Sequence, residues 1–249
     1  MRLIQISDIH CGPYFRQSVF DKAVDEINRL KPDILIITGD LTENGIIQEY
    51  ECAKRNLENI NCKNKIYCSG NHDYRSTGYL LFKKFFEPKR VIEFEDFVII
   101  TISTARPDRD EGEIGYRQLL WLQKTLSKYV NKKKILAMHH HVIPVPDTGT
   151  DLITVLDAGD ALRTFLYSNV DLVLNGHRHR PWIWNLEGLT IIHAGTLSSE
   201  RMRGFFENSY NIIEIEDEIK PSLKIVGGEL IDLEDLRRKS FEESAKIED

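Results

Sequence analysis

Two patterns of apolar residues alternate along the first third of the chain. Short apolar runs at 3–7, 34–38 and 65–68 predict buried strands, and the β-branched run at 34–38 is typical of a strand covered on both faces. Between these runs, apolar residues recur every three or four positions over about 18–30 and 46–57, which predicts two helices. The resulting β-α-β-α-β order predicts a largely parallel sheet with helices on its faces.

The rest of the chain continues this alternation and then becomes mainly β. Further helices are predicted at about 79–86, 116–129, 157–167 and 233–245. Further strands are predicted at 90–94, 97–103, 134–138, 170–174, 181–186, 189–193, 209–216 and 219–227. A loop rich in Pro, Asp and Gly is predicted at 142–151, and hairpin turns are predicted at Glu187-Gly188 and Asp217-Glu218.

Residues that can bind metal follow the ends of five predicted strands. They form the blocks Asp8-Ile9-His10, Gly39-Asp40, Gly70-Asn71-His72-Asp73, His139-His140-His141 and Gly176-His177-Arg178-His179. Because the carboxyl ends of parallel strands meet at one edge of a sheet, we expect these blocks to lie together. A strand-ending Asp taken alone often caps the next helix, but five such blocks in one chain favour a shared site.

The donor atoms of these blocks indicate the kind of metal. Asp8, His10, Asp40, Asn71, His139, His177 and His179 offer nitrogen and oxygen but no thiolate. Such a set suits Mn, Fe, Zn or Co and disfavours a sulfur-rich structural zinc site. Seven side chains are too many for one ion, whereas two ions about 3.5–4 Å apart and bridged by one carboxylate would use them all. Such a pair polarises a phosphoryl oxygen and activates a bridging hydroxide for attack on phosphorus.

Composition narrows the function further. The chain has 249 residues, 41% of them hydrophobic and 29% charged, as in ordinary globular proteins. Its net charge of −6 argues against nucleic acid as a partner, but not against a small phosphorylated substrate. The first residues become polar too quickly for a signal peptide and no apolar run reaches membrane-spanning length, so we expect neither a signal peptide nor a membrane span. Four cysteines without a Cys-x-x-Cys pair are expected as reduced thiols, so we expect a cytoplasmic protein without a membrane partner.

The five blocks, in this order over residues 8–179, resemble the calcineurin-like metallophosphoesterase family. Within it the chain is most similar to the bacterial class III cyclic nucleotide phosphodiesterases. This closer likeness extends the resemblance to about residues 1–216. It depends on Gly39-Asp40-Leu41-Thr42, on the histidine triplet, and on the tail Ala194-Gly195-Thr196-Leu197-Ser198-Ser199 with Arg201, Arg203-Gly204 and Ser209-Tyr210-Asn211.

The resemblance implies a fold and an activity. The fold is an α/β four-layer αββα sandwich of two mixed β-sheets flanked by helices. One domain would span 1–249, and the strands and helix from about residue 181 would complete the second sheet. The activity is that of a phosphodiesterase with two divalent metal ions, Mn and Fe favoured, that hydrolyses a small phosphodiester such as a 3′,5′- or 2′,3′-cyclic nucleotide.

The resemblance also implies residue roles. Asp8, His10 and His179 would hold the first metal, Asp40 would bridge, and Asn71, His139 and His177 would complete the second. His72 would act as general acid or charge stabiliser, and Asp73 would orient a neighbouring group. Successive strand residues face opposite ways, so His139 and His141 share a face that His140 does not. The family favours His139 as the ligand and leaves His140, His141 and Arg201 as candidate substrate contacts.

Other activities use the same core. A phosphomonoesterase, a nucleotide pyrophosphohydrolase and a nuclease share the two-metal chemistry, and some relatives without their ligands are non-catalytic scaffolds that bind proteins. This chain keeps every ligand and the His72 acid, which disfavours a scaffold. A homodimer is left open.

Overall fold

Two mixed β-sheets form the centre of the protein. The computed structural model describes residues 1–149, 154–216 and 218–245. Its strands are β1 (Arg2–Ile6), β2 (Ile34–Thr38), β3 (Asn64–Cys68), β4 (Val91–Glu93), β5 (Phe97–Thr101), β6 (Lys133–Ala137), β7 (Leu172–Asn175), β8 (Trp182–Leu186), β9 (Leu189–His193), β10 (Ser209–Ile215), β11 (Ile219–Ile225) and β12 (Leu230–Asp232). The helices are α1 (Gln17–Leu30), α2 (Ile47–Glu58), α3 (Gly78–Phe85), α4 (Tyr116–Leu126), α5 (Ala158–Tyr167) and α6 (Leu233–Ala245).

The strand order confirms two mixed sheets. The first sheet has the order β12-β11-β10-β1-β2-β3, and the second has the order β4-β5-β6-β7-β9-β8. In the first sheet β1, β2 and β3 are parallel, while β10 to β12 are antiparallel to their neighbours. In the second sheet β5, β6, β7 and β9 are parallel, and the edge strands β4 and β8 are antiparallel. The carboxyl ends of the parallel strands therefore provide the edges on which a site can form.

The two-residue alternation of β-strands separates the layers. In β2, Leu35 and Ile37 face a core that they share with α1, α2 and α3. Ile34 and Ile36 face the opposite way, into a core that lies between the two sheets and also contains Ile99 of β5.

The same alternation covers the outer face of the second sheet. Val98 and Ile100 of β5 turn away from the first sheet and pack with Leu122 of α4 and Phe165 of α5. Three cores thus join four layers, which lie in the spatial order helices, first sheet, second sheet, helices. This is the predicted αββα sandwich.

The expectation that every element after about residue 181 completes the second sheet was wrong in part. β8 and β9 do join that sheet, but β10, β11 and β12 extend the first sheet. The physical reason is that β10 pairs antiparallel with β1, with Arg2 opposite Glu214, and its two faces suit the cores on both sides of that sheet. Helix α6 contacts both β8 and β11, so it packs on strands of both sheets.

The other predicted elements are present, with ends that differ by up to three residues. The short strand β12 was not predicted, and neither was the 3₁₀ turn at His72–Tyr74. Parts of two predictions, the end of the 142–151 loop and residue 217 of the second hairpin turn, lie outside the described residues. Among the described residues, no helix combines the length and the apolar content needed to cross a bilayer.

A buried polar network joins the sheets beneath the strand ends. Gln5 of β1 donates to Thr38 Oγ1 at 3.2 Å and to the carbonyl of Asn175 at 2.9 Å, and it accepts from Asn211 Nδ2 at 2.9 Å. Asn175 Nδ2 donates in turn to the carbonyl of His140 at 2.8 Å. Since Gln5 belongs to the first sheet and Asn175 to the second, this network fixes the two strand-end edges against each other.

Candidate active site

The five predicted blocks meet at one place, where the carboxyl ends of strands from both sheets come together. Asp8 and His10 follow β1, Asp40 follows β2, and Asn71 follows β3. His139 follows β6, and His177 and His179 follow β7. Six of these seven side chains are buried, and His177 is half-buried.

The first group of donors surrounds a point beside β1. His10 Nε2 lies 3.0 Å from His179 Nε2, and His179 Nε2 lies 3.3 Å from Asp8 Oδ1. Asp40 Oδ2 closes the group at 3.7 Å from His10 Nε2. Ligands bonded to one ion at about 2.0–2.2 Å lie roughly 3 Å apart, so this spacing fits a single cation.

The second group shares Asp40 with the first. Asp40 Oδ2 lies 3.3 Å from His139 Nε2, and Asn71 Oδ1 lies 3.1 Å from that same nitrogen. His177 presents Nδ1 at 3.1 Å from Asn71 Oδ1. Asp8, Asp40 and His139 also form one of several clusters of donor atoms that could hold a metal ion. The Oδ2 atom of Asp40 therefore faces both groups, at 3.7 Å from His10 Nε2 and 3.3 Å from His139 Nε2.

The orientation of the imidazoles also fits metal binding. His139 Nδ1 lies 2.7 Å from the carbonyl of Thr38, and His179 Nδ1 contacts the carbonyl of Arg201. A carbonyl oxygen only accepts hydrogen bonds, so these Nδ1 atoms carry hydrogen. The Nε2 atom of each ring then directs a lone pair towards the neighbouring metal-ligand atoms. Metal-binding histidines are typically held in this way by a group on the far nitrogen.

The electrostatics of the cluster favour a cation. Burial alone would lower the pKa of His139, but Asp40 and Asp8 outweigh it and raise that pKa to about 9. The pKa of Asp40 lies well below its usual value: burial opposes this shift, but His139 and His72 outweigh it. The carboxylates thus place a strongly negative field at a buried imidazole, and the same field would attract a divalent cation.

The backbone at the predicted ligands is unusual. Asp8, His10 and Asp40 have φ angles of 53°, 51° and 52°, and His177 and His179 have φ angles of 77° and 55°. This left-handed region disfavours residues other than Gly by about 1–2 kcal/mol each. Such conformations concentrate at functional sites, where the surrounding structure holds them in place.

Gly70 shows why the block after β3 begins with glycine. A Cβ atom there would lie 2.1 Å from Asp40 Oδ1. Only a residue without a side chain lets this turn approach the shared carboxylate, whose Oδ1 accepts from the backbone N–H of His72 at 2.9 Å.

Asp73 joins two of the ligand-bearing turns. Its carboxylate accepts from the backbone N–H of Gly70 at 2.9 Å and from the N–H and hydroxyl of Thr42 at 2.9 and 3.0 Å. The side chain is fully buried, and burial together with the charge of Asp40 raises the pKa of Asp73 to about 7. These contacts are those of a residue that positions the turns.

His72 lies at the wall of a cleft of about 280 Å³. Its Nδ1 is 2.8 Å from the carbonyl of Glu43, so Nδ1 carries hydrogen and Nε2 is the second ring nitrogen available for chemistry. Arg201 Nη1 lies 3.3 Å from that Nε2. Four arginines line the cleft: Arg75, Arg178, Arg201 and Arg203. The cleft therefore suits an anionic substrate.

His140 and His141 lie behind the cleft. Both are fully buried. His140 Nδ1 is 2.8 Å from the hydroxyl of Thr104, and its Nε2 is 3.1 Å from the carbonyl of Asp110. His141 Nε2 is 2.6 Å from the carbonyl of Gly176. These positions argue against the expected substrate contact by either ring, whereas Arg201 does line the cleft.

Two acidic residues at the site were not predicted. Asp110 accepts from Asn71 Nδ2 at 3.0 Å, which turns the amide oxygen of Asn71 towards the histidines, and it pairs with Arg75 at 3.0 Å. Glu43 lies 2.8 Å from His10 Nδ1. Burial would raise the pKa of Glu43, but His10 and the nearby cations lower it to about 2. For Glu43, the only signal in the sequence was its position three residues after Asp40.

The sequence pattern of calcineurin-like phosphoesterases matches residues 1–181. The chain belongs to this family. A probable cyclic nucleotide phosphodiesterase from Rhodococcus erythropolis is 31% identical over 78% of this chain and 70% of its own length. A probable glycerophosphodiester phosphodiesterase from Arcobacter nitrofigilis is 29% identical over 74% of this chain and 75% of its own. The family and these relatives make the chain a metal-dependent phosphoester hydrolase.

Solved structures agree on the fold. The purple acid phosphatase PPD1 of yellow lupin superposes with a TM-score of 0.75 over 93% of this chain and 52% of its own, at 14% identity. The metallophosphoesterase fold predicted from the sequence is thereby confirmed.

Proposed function

We propose that the chain is a phosphodiesterase that uses two divalent metal ions to hydrolyse small phosphodiesters, with 3′,5′- or 2′,3′-cyclic nucleotides as the leading substrates. One observation carries the two-metal part: Asp40 Oδ2 lies 3.7 Å from His10 Nε2 in one donor group and 3.3 Å from His139 Nε2 in the other. The diester preference is supported by the names of the relatives from Rhodococcus and Arcobacter.

Each donor group would hold one cation. Asp8, His10 and His179 would hold the first and Asn71, His139 and His177 the second, with Asp40 between them. Donors that are only nitrogen and oxygen suit Mn, Fe, Zn or Co, and the family resemblance favours Mn and Fe among these. When bound, the pair would polarise the phosphoryl oxygens and lower the pKa of a water molecule.

The remaining steps fall to side chains of the cleft. The leaving oxygen needs a proton or a compensating charge, and the imidazolium form of His72, with hydrogen on Nε2 as well as on Nδ1, would supply it. Arg201, 3.3 Å from that nitrogen, would bind a phosphate oxygen and hold the ester against His72. Asp110 would keep the amide of Asn71 in the orientation that presents its oxygen to the second cation.

A substrate panel tests the proposal. Purified protein loaded with Mn²⁺ would be assayed on bis-p-nitrophenyl phosphate, p-nitrophenyl phosphate, 2′,3′- and 3′,5′-cyclic AMP, glycerophosphocholine and single-stranded DNA. We expect higher kcat/KM on diesters than on the monoester. A preference for the monoester would instead indicate a phosphomonoesterase, and cleavage of DNA a nuclease. No bound metal and no hydrolysis on any substrate would leave the scaffold as the better description.

A further inference from the structure

The carboxylate of Glu43 contacts both a predicted metal ligand, His10, and an arginine of the cleft, Arg201. Glu43 Oε2 lies 2.8 Å from Nδ1 of His10, a predicted ligand of the first metal. Glu43 Oε1 accepts from Arg201 Nη1 at 2.7 Å, and that same Nη1 lies 3.3 Å from His72 Nε2. The two oxygens of a single side chain thus face the metal group on one side and the phosphate-binding group on the other.

The backbone of the same residue adds to these contacts. The carbonyl of Glu43 lies 2.8 Å from His72 Nδ1 and accepts from Arg75 Nη1 at 3.2 Å. Glu43 is 6% exposed, so its charge acts in a medium that screens poorly. In the part of the chain that the structure describes, the ion pairs of its carboxylate go to His10, His72, Arg75 and Arg201.

A different residue holds the turn in which Glu43 lies. Glu49 Oε2 accepts from the backbone N–H of Glu43 at 3.0 Å and of Asn44 at 2.6 Å, and Glu49 Oε1 accepts from Asn44 Nδ2 at 2.8 Å. Glu49 is 7% exposed, as buried as Glu43. The neighbouring carboxylate therefore supports the backbone, while that of Glu43 serves the cleft.

We propose that Glu43 is a positioning residue that aims His10 at the first metal and holds Arg201 against His72. This inference rests on the proposed metal-dependent function. A carboxylate on the far nitrogen of a metal-binding histidine fixes the ring and strengthens it as a ligand. A charge-assisted hydrogen bond to Arg restricts the guanidinium to one orientation. Removing the charge of Glu43 should therefore weaken metal binding and substrate binding together.

Metal affinity is the first readout, because it does not depend on turnover. Mn²⁺ would be titrated calorimetrically into the metal-free wild type, Glu43→Gln and the matched control Glu49→Gln. We expect Glu43→Gln to bind Mn²⁺ about 10–100-fold more weakly at one of two positions. Glu49→Gln should lower the urea midpoint of unfolding and leave the Mn²⁺ dissociation constants within about twofold, since the hydrogen bonds of its side chain, among the described residues, go to the turn.

Kinetics test the second contact. At saturating Mn²⁺, Glu43→Gln and Arg201→Gln should each raise KM for bis-p-nitrophenyl phosphate. Because the two side chains act as a pair, the double variant should be little worse than Arg201→Gln alone. Arg201→Gln by itself should leave Mn²⁺ affinity unchanged. This result would separate the contact of Glu43 with Arg201 from its contact with His10.

The results distinguish the possibilities. Wild-type Mn²⁺ affinity in a folded Glu43→Gln protein, or additive effects with Arg201→Gln, would overturn the positioning role. If Glu43→Gln does not fold, Glu43→Asp replaces it. Its shorter side chain should hold His10 less well, so this variant should bind Mn²⁺ more weakly than the wild type, and unchanged affinity would reject the inference. A wild type that binds no Mn²⁺ would overturn the proposed function as well.

Discussion

The Nε2 atoms of His10 and His179 lie 3.0 Å apart, although the two residues are 169 positions apart in the chain. The Nδ1 of His10 faces the carboxylate of Glu43, and the Nδ1 of His179 faces the carbonyl of Arg201. With hydrogen on both Nδ1 atoms, two lone pairs point at each other across this gap. A cation between them would turn this repulsion into shared coordination.

Metal removal should therefore destabilise the protein. We expect a lower thermal unfolding temperature in EDTA than in Mn²⁺, because a ligand at about 100 times its dissociation constant adds about 2.7 kcal/mol. For a chain of this size that corresponds to roughly 5–10 °C. Differential scanning calorimetry measures the shift, and His179→Ala should lose most of it. Identical unfolding temperatures with and without metal would contradict the arrangement of donors.

The role of His72 can be read from the leaving group. His72→Ala should keep both metals and lower kcat on a cyclic nucleotide by about 10²-fold or more, because an alkoxide must be protonated as it leaves. p-Nitrophenolate leaves without protonation, so a general acid predicts a much smaller loss on bis-p-nitrophenyl phosphate. Equal losses on the two substrates would identify His72 as a charge stabiliser, and unchanged turnover would remove it from the mechanism.

Asp40 should decide the occupancy of both metal positions. Its carboxylate faces His10 on one side and His139 on the other, so Asp40→Ala should lower the metal content from two ions per chain to less than one. Elemental analysis after dialysis against Mn²⁺ measures the content. Asp25→Ala is the control, since that carboxylate is exposed on α1, and two ions should remain. Two ions in Asp40→Ala would refute bridging.

His193 should make stability depend on pH. It is fully buried, and in the described chain neither ring nitrogen has a hydrogen-bond partner. Burial lowers its pKa from 6.5 to about 3. Below pH 6.5 the unfolded chain takes up a proton that the folded protein refuses until about pH 3. The free energy of unfolding therefore has its full value above pH 6.5. Between pH 6.5 and about pH 3, His193 lowers it by about 1.4 kcal/mol for each pH unit that the pH falls.

His193→Phe tests this dependence because it removes the titrating group and keeps a ring of similar size. Urea unfolding of metal-free wild type and variant would be compared from pH 7.5 down to pH 4.5. The unfolding free energy of the variant minus that of the wild type should increase as the pH falls, because only the wild type loses stability through His193. Parallel curves would show that His193 does not contribute.

Gln5 should contribute more to stability than its size suggests. Gln5→Leu would leave the carbonyl of Asn175 and the amide of Asn211 without their buried partner, at a cost of about 1–3 kcal/mol. Urea unfolding at neutral pH measures the loss. The exposed Gln123 on α4 offers a control, because Gln123→Leu should change stability by less than about 0.5 kcal/mol. Equal effects would mean that the network is not needed to join the sheets.

The ligand blocks could be recognised from sequence because their position is a property of the strands. An apolar run that ends in Asp or His needs no knowledge of the other strands, and parallel topology brings such ends to one edge. Asp8 and Asp40 come together in this way from β1 and β2 of the first sheet, and the packing of the two sheets brings His139 from β6 of the second sheet beside them. The αββα layers were predicted from the family resemblance, whereas the alternation alone predicted a largely parallel sheet with helices on its faces.

Partners across the chain could not be predicted in this way. Asp110 lies 39 positions from Asn71, and Arg201 lies 158 positions from Glu43, so no local pattern marks either contact. The choice of sheet for β10 failed for a similar reason: alternating apolar residues fit a central strand of either sheet, and only the pairing with β1 decides.

The left-handed backbone at Asp8, His10 and Asp40 has an evolutionary consequence. Each of these residues keeps a conformation that glycine, or to a lesser degree asparagine, adopts at lower cost. Selection for hydrolysis therefore works against selection for a relaxed chain at the same positions. A descendant freed from catalysis would gain stability by accepting Gly there, so glycine at these sites in a relative would mark a lineage that has given up its metals.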